Sequence, residues 1–235
     1  MSLKSIIKRI VYKQYCSNDA YIEYLRKNGA QVGNGTYFYN PEMRPVDEGA
    51  ISFLKIGENC RITKGVLLLL HDYSYAVMRV THHGMLAKSS DTIIGNNVFI
   101  GARSIILMNA KIGDNVIIGA GSIVSGEFGS NVVIGGNPAK VICSLDDYYN
   151  RCLKKFDLNA KCYYLNRSRV KGRVLEENEM GWYVALWETD DFHSRKEYLS
   201  SLRVDGDDAN DVVADVLAWK PIYKSFQDFV ESIEK

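Results

Sequence analysis

Histidine is the side chain best suited to accept a proton near neutral pH, because its unperturbed pKa is about 6.5. The chain has four histidines, and three of them are clustered. His71 directly follows the apolar run Val66–Leu70, His82 and His83 lie further on among polar residues, and His193 lies far down the chain. Such residues suit general base catalysis or metal binding. Zinc ligands must converge from different directions and these three share one segment, so we predict no metal site. Which histidine would act as a base is open at this point.

A repeat of six residues defines the elements around these histidines. An aliphatic residue begins each copy, and glycine follows it in most copies. Neither an α-helix nor a simple strand has this period, whereas one short strand plus one tight corner has it. Three such units, or eighteen residues, would complete one triangular coil and bring each aliphatic residue over an equivalent one. The predicted stacking pairs are Ile94 with Ile112, Ile100 with Ile118, and Ile106 with Val124.

Weaker copies of the repeat precede this run. One begins at Val32, and others run from Ile56 to Leu68 at the same six-residue step. The distance from Leu68 to Ile94 is 26 residues, two more than four units, and residues 71–91 lack the pattern. We therefore expect residues 71–91, called the excursion below, to leave the coil as a loop that carries the three clustered histidines.

The remaining segments complete a predicted organisation of three parts, with an N-terminal helical segment over 1–30, the coil over 31–142 and a C-terminal extension over 143–235. Within residues 3–27, apolar residues follow the spacing of an amphipathic helix, and basic residues lie off that stripe. A basic amphipathic helix could contact an anionic membrane. We favour instead a helix that caps the open end of the coil or packs on a neighbouring subunit.

The C-terminal extension is predicted to have an α/β structure. The sequence indicates a helix over 145–160, a buried strand at Gly181–Trp187, and two short helices over 208–219 and 224–234. The acidic cluster 205–215 lacks the glycine and the glutamate that a calcium-binding loop requires at its sixth and twelfth positions. We expect these carboxylates to lie at the surface and to cap a helix N-terminus.

Composition excludes several classes of protein. The chain has 235 residues and a net charge of +1, which divides into +5 over residues 1–144 and −4 over residues 145–235. This asymmetry is too weak for a nucleic-acid-binding protein. The five cysteines are an odd number without CxxC spacing, so neither a disulfide framework nor a structural zinc site is expected. The longest apolar run is too short to span a bilayer and the N-terminus lacks a signal-peptide pattern, so a cytoplasmic protein is expected.

Three segments of the repeat carry a resemblance to a known family. Ile94–Arg103, Ile112–Val124 and Gly135–Ile142 resemble the hexapeptide-repeat acyltransferases, and among them the sugar and polysaccharide O-acetyltransferases, a branch that includes maltose and galactoside acetyltransferases. The resemblance implies a mainly β fold, a left-handed parallel β-helix of hexapeptide repeats. It also implies acetyl-CoA as cosubstrate, no required metal, and a homotrimer with its active sites between subunits.

The resemblance further implies roles for individual residues. The family's catalytic histidine begins the same excursion, which corresponds to His71, 23 residues before Ile94. Asp72 would bind the acceptor, orient His71 or cap the turn. Tyr73 would stack on a sugar ring or pack on a neighbouring subunit. The residues expected to contact acetyl-CoA are Gly101, Ala102, Ala120, Ser125 and Lys140.

Two positions depart from the family's pattern. Phe99 stands where the family often has tryptophan, and Ser125–Gly126 stands where it has Thr-Lys. The missing lysine removes one expected contact to the cofactor, for which Arg103 could compensate.

The predicted function is the transfer of an acetyl group from acetyl-CoA to a hydroxyl of a sugar or a surface polysaccharide precursor. His71 would act as general base for direct attack on the thioester. An amine acceptor on a nucleotide-linked amino sugar is also chemically possible. The alternatives are a non-catalytic β-helix that serves as a scaffold and a metal-dependent enzyme similar to hexapeptide-repeat carbonic anhydrases. The expected partners are the sugar acceptor and two further copies of the chain, without nucleic acid.

Overall fold

Short parallel strands recur along residues 31–136 in the computed structural model, which describes residues 11–188 and 204–233. Sheet A contains β1 (Gln31–Val32), β3 (Leu54–Ile56), β8 (Thr92–Ile94), β11 (Lys111–Ile112) and β14 (Glu127–Phe128). Sheet B contains β2 (Tyr37–Phe38), β4 (Arg61–Ile62), β9 (Val98–Ile100), β12 (Val116–Ile118), β15 (Val132–Gly136) and the antiparallel β16 (Ala139–Ser144). Sheet C contains β5 (Leu67–Leu68), β10 (Ile105–Ile106) and β13 (Ile123–Val124). From β3 to β15, successive strands of these sheets enter sheets A, B and C in turn.

The register of the sheets confirms the predicted stacking of aliphatic residues. Ile94 pairs with Ile112 in sheet A, Ile100 with Ile118 in sheet B, and Ile106 with Val124 in sheet C. The earlier copies continue the same columns, and the side chains of these columns are buried in one core. Alternate residues of a strand point to opposite faces, so a second inward residue two positions earlier, such as Val98 or Val116, shares this core. The other face of each sheet points outward.

The corners between sheets A and B are built by asparagines in a left-handed backbone conformation. Asn59, Asn97, Asn115 and Asn131 have φ values of 55°, 53°, 56° and 60°. Asparagine tolerates this region better than other residues that have a side chain. Their side chains form a row, in which Asn97 Nδ2 donates to Asn115 Oδ1 at 2.9 Å and Asn115 Nδ2 donates to Asn131 Oδ1 at 3.0 Å. Gly95, next to this row, has no room for a side chain, since a Cβ there would lie 2.6 Å from the Gly113 carbonyl carbon.

The N-terminal segment is helical only in part. Helix α1 (Asn18–Lys27) begins after Ser17, whose side chain accepts a hydrogen bond from the Ala20 amide, and a short 3-10 helix occupies Lys13–Tyr15. One continuous helix over 3–27 is therefore wrong within the described residues, because Lys13 has a φ of 47° and Ser17 starts a new helix. The predicted residues 3–10 lie outside the described part of the chain.

The C-terminal part forms a second compact unit, which begins at Tyr149. It contains most of α3 (Leu145–Lys171), a 3-10 helix at Gly181–Leu186, α4 (Ala209–Ala218) and α5 (Phe226–Glu231). The predicted strand at Gly181–Trp187 is wrong, because an apolar run this short fits a buried helical turn as well as a strand. Asp208 caps α4 as expected for the acidic cluster, since its side chain accepts from two backbone amides. No helix among the described residues is long and apolar enough to cross a bilayer.

Candidate active site at the base of the excursion

His71 lies where the chain leaves sheet C. It begins β6 (His71–Asp72), which pairs antiparallel with β7 (Lys88–Ser89), and α2 (Tyr75–His82) lies between these two strands. The excursion was predicted as a loop, and the structure shows that it has secondary structure of its own. The paired strands fix the backbone of His71 at the base of the excursion, close to the core of the coil.

The imidazole of His71 faces a carboxylate that the sequence analysis missed. Nδ1 of His71 lies directly against Oδ2 of Asp47, and both side chains are mostly buried, with exposed fractions of 18% and 15%. The backbone of Asp47 runs beside β5, because its amide donates to the Leu68 carbonyl at 3.0 Å. Asp47 is 24 positions before His71. No motif connects the two residues in the sequence, so only the packing of neighbouring turns of the chain reveals the pair.

Backbone amides hold the Asp47 carboxylate in place. Oδ1 accepts from the Gly49 amide at 3.2 Å, and Oδ2 accepts from the Leu70 amide at 3.3 Å. The first of these bonds caps a 3-10 helix at Glu48–Phe53. A carboxylate fixed in this way is a good acceptor for an imidazole N–H and keeps the ring in one orientation.

The other ring nitrogen of His71 has no such partner. Nε2 is buried and makes no hydrogen bond to any residue that the structure describes. The ring packs against Gly49, where an added Cβ would lie 2.9 Å from Cε1 and 3.3 Å from Nε2. On another side it meets the Tyr73 ring edge to face, with a centroid distance of 4.3 Å. The site therefore contains one buried imidazole nitrogen without a partner, between a glycine and an exposed tyrosine.

The Asp72 carboxylate accepts hydrogen bonds from a nearby residue and not from His71. Its Oδ1 accepts from the Ser74 amide at 2.6 Å and its Oδ2 accepts from Ser74 Oγ at 2.8 Å, while Lys88 Nζ lies 3.8 Å from Oδ2. The hydrogen bonds from Ser74 lower the pKa of the Asp72 carboxyl below its ordinary value. Of the three roles considered for Asp72, the geometry shows the turn-capping one, and its contact with an acceptor stays a prediction.

His82 and His83 lie away from this arrangement, at the end of α2. Both are exposed; His82 Nδ1 is 2.7 Å from Thr81 Oγ1, and His83 ends the helix in a left-handed conformation. No group of three or more metal-binding side chains occurs within residues 11–188 and 204–233. His193 lies outside the described residues.

The residues expected to bind the cofactor lie at three places in the coil. Ala102 and Ala120 are exposed at one corner between sheets B and C, where the Gly121 amide donates to the Ala102 carbonyl at 2.9 Å. Ser125 is exposed at the corner after β13, in line with the corner from which the excursion leaves. Lys140 is exposed on the hairpin of β15 and β16.

Gly101 differs from these residues because packing alone accounts for it. It is buried, and an added Cβ would lie 2.5 Å from the Ala120 amide nitrogen and 2.7 Å from the Ile118 carbonyl oxygen of the next turn. Glycine is therefore required for the close stacking of turns. The roles of these residues toward acetyl-CoA stay predictions.

Comparisons with known proteins agree with this architecture. A family model described as bacterial transferase hexapeptide (six repeats) matches residues 91–126. The chain is 39% identical to Protein CapG of Staphylococcus aureus over 154 residues, which cover 66% of this chain and 88% of that protein. It is 35% identical over 151 residues to galactoside O-acetyltransferase of Escherichia coli, with 62% of this chain and 64% of that enzyme covered.

Among solved structures, the serine acetyltransferase of Brucella abortus in complex with coenzyme A matches at 23% identity and a TM-score of 0.35. The match covers 60% of this chain and 53% of that enzyme.

Strands that repeat every six residues, combined with the matches in sequence, define a class of transferases. The chain belongs to the hexapeptide-repeat transferase family, and it is an acetyltransferase.

Proposed function

We propose that this protein transfers an acetyl group from acetyl-CoA to a hydroxyl of a sugar, on a precursor of a surface polysaccharide. The observation that carries the proposal is the pair of His71 and Asp47, with Nε2 of His71 left without a partner. The name of the galactoside O-acetyltransferase supports a sugar hydroxyl as the acceptor. Acetyl-CoA would be a cosubstrate, and each turnover releases it as coenzyme A.

The two residues divide the work of the base. The Asp47 carboxylate accepts a hydrogen bond from the Nδ1–H group, which selects the tautomer with a lone pair on Nε2. Nε2 takes the proton of the acceptor hydroxyl while the oxygen attacks the thioester carbonyl. The tetrahedral intermediate then collapses, the C–S bond breaks, and the imidazolium returns the proton to the leaving thiolate. The transfer is direct, and no covalent acyl-enzyme forms.

The coil is proposed to be a left-handed parallel β-helix that assembles as a homotrimer through sheet C. The outer face of this sheet is apolar, with Leu67 exposed by 40% and Ile105 and Ile123 partly exposed. The outer face of sheet A is instead charged, and Lys111 pairs there with Glu127. An apolar strip of this kind is covered in most soluble proteins. A neighbouring subunit on sheet C would also approach the corner at which His71 lies.

The test is thiol release from acetyl-CoA in the presence of sugars and glycan fragments, for the wild type and three variants. We expect His71→Ala and Asp47→Asn to lower kcat by about 10²-fold or more. The first removes the base, and the second replaces the acceptor-only carboxylate that orients it with a neutral amide that can also donate. His82→Ala is the matched control, since it removes an exposed histidine of the same excursion and should leave kcat within about twofold of the wild type. Equal kcat in His71→Ala and the wild type would contradict the proposal.

A further inference from the structure

The outer face of sheet B has a cavity that the residues around His71 do not form. Its volume is about 400 Å³. Its floor is formed by outward-facing residues of β4, β9 and β12, and its sides by the asparagine row and the first turn of α3. Its polar and aromatic lining side chains are Asn59, Arg61, Asn97, Phe99, Asn115 and Tyr148.

Two aromatic rings in this cavity are more exposed than packing requires. Phe99 lies in the middle of β9, between Arg61 and Ile117 of the neighbouring strands, and 43% of it is exposed. Tyr148 lies in the first turn of α3 and is 38% exposed. An exposed aromatic residue adds little to the stability of a strand, whereas it offers a flat apolar surface to a ligand. The apolar C–H face of a sugar ring fits such a surface.

Polar groups border the same cavity. Asn59 makes no side-chain hydrogen bond to another described residue, so both its amide oxygen and its amide nitrogen can serve a ligand. Asn97 donates to Asn115, which in turn donates to Asn131, so the amide oxygen of Asn97 has no partner among the described residues. Planar amides that carry both donors and acceptors match adjacent hydroxyl groups of a sugar.

The charge of the lining limits the ligand class. Among the described residues that line the cavity, Arg61 is the one charged residue, and its Nη1 donates to the Gly35 carbonyl at 2.7 Å. A ligand with several phosphates would require more cations than this. A neutral sugar, or a sugar with one carboxylate, matches the hydrogen-bonding amides, the aromatic rings and the single guanidinium of this cavity.

We propose that this cavity is a saccharide-binding subsite and that the acceptor is therefore an oligosaccharide. The inference rests on the proposed transfer to a sugar. His71 of the same chain lies beyond the end of sheet C, whereas the cavity opens on sheet B. The sugar held in the cavity is thus a different residue of the glycan from one that reacts at His71 of that chain. Specificity would come from the length and the sequence of the glycan.

The experiment measures binding and turnover separately, with the full-length protein. Binding of bacterial polysaccharide fragments of one to four sugars is measured by isothermal titration calorimetry without acetyl-CoA. Turnover is measured by thiol release with the same fragments. The variants are Phe99→Leu, which keeps apolar bulk but removes the ring, Phe99→Trp, which keeps a ring, and Tyr148→Ala. Tyr149→Ala is the matched control, because Tyr149 is the next residue of α3, is 52% exposed and does not line the cavity.

We expect the wild type to bind the longer fragments more tightly than the single sugars. Phe99→Leu and Tyr148→Ala should weaken binding of the longer fragments about tenfold, while Phe99→Trp and Tyr149→Ala retain it. The preference in kcat/KM for longer fragments should fall by the same factor.

Other outcomes overturn the subsite. In one, the wild type binds no fragment; in another, Tyr149→Ala weakens glycan binding as much as Tyr148→Ala does. In the third, the cavity variants raise the KM for acetyl-CoA and leave glycan binding unchanged, which would make this a cofactor cavity. Glycan binding without any thiol release would instead overturn the proposed transfer and leave the subsite standing.

Discussion

The close contact between Gly49 and the ring of His71 gives a sharp test of the active-site geometry. In Gly49→Ala, the new Cβ would lie 2.9 Å from Cε1, 3.3 Å from Nε2 and 3.4 Å from Nδ1 of His71. Carbon atoms in contact prefer a separation of about 3.5–4.0 Å, so the ring must move by about 0.6 Å or more. The φ of Gly49 is not in the left-handed region, so alanine meets no backbone strain there. The predicted effect is therefore the displacement of the imidazole.

This displacement should appear in the rate of the chemical step. The ring cannot move without weakening its contact with Asp47 or turning Nε2 away from the acceptor. A misplacement of about 1 Å costs about 10²-fold in rate, so we expect kcat to fall by about 10-fold to 100-fold. The assay is thiol release at saturating acetyl-CoA, with the thermal unfolding midpoint measured on the same samples to show that the variant is folded.

Gly129→Ala is the matched control. An added Cβ at Gly129 meets no atom within 4 Å, and its φ lies outside the left-handed region. This variant should keep kcat within about twofold of the wild type. If Gly49→Ala is folded like the wild type and also keeps kcat within about twofold, the assignment of His71 as the base is refuted.

Two further predictions concern stability. Ile100→Ala removes a fully buried side chain of the stacked core and should lower the free energy of unfolding by about 2–5 kcal/mol. Its control, Ile93→Ala, lies on the outer face of sheet A and should lower this free energy by about 1 kcal/mol or less. Urea denaturation measures both values. Hydrogen bonds from Arg173, a backbone amide and Lys171 lower the pKa of Glu179 from 4.5 to about 2. The pKa of Glu179 is lower in the folded protein than in the unfolded chain, so ionised Glu179 stabilises the fold. This stabilisation is complete above about pH 4.5 and is lost as the pH falls toward about 2. The difference in thermal unfolding midpoint between the wild type and Glu179→Gln should therefore be present at pH 7 and disappear near pH 2; a constant difference would contradict this.

The hexapeptide pattern by itself determined the coil and its register. One aliphatic residue in every six cannot be buried by a helix or by a single strand, so the chain must turn after each strand and stack on itself. The pairs of Ile94 with Ile112 and Ile100 with Ile118 follow from this spacing, and the register confirms them. The gap in the pattern likewise located the excursion and with it His71.

Sequence patterns were less informative outside the repeat. Gly181–Trp187 forms a 3-10 helix in place of the predicted strand, because a short apolar run carries no periodicity that separates the two. The backbone between Lys13 and Ser17 is not α-helical, and the hydrophobic spacing did not reveal this. In both segments the local conformation depends on what the apolar residues pack against.

Only the tertiary structure decided which side chains meet at the site. Asp72 is the carboxylate next to His71 in sequence, but its hydrogen bonds go to Ser74, and Asp47 occupies the position beside the imidazole. The reason is that adjacent residues of a strand point to opposite faces, whereas residues one turn of the coil apart lie side by side. The sequence therefore determined where the histidine stands, and the stacking of turns determined its partner.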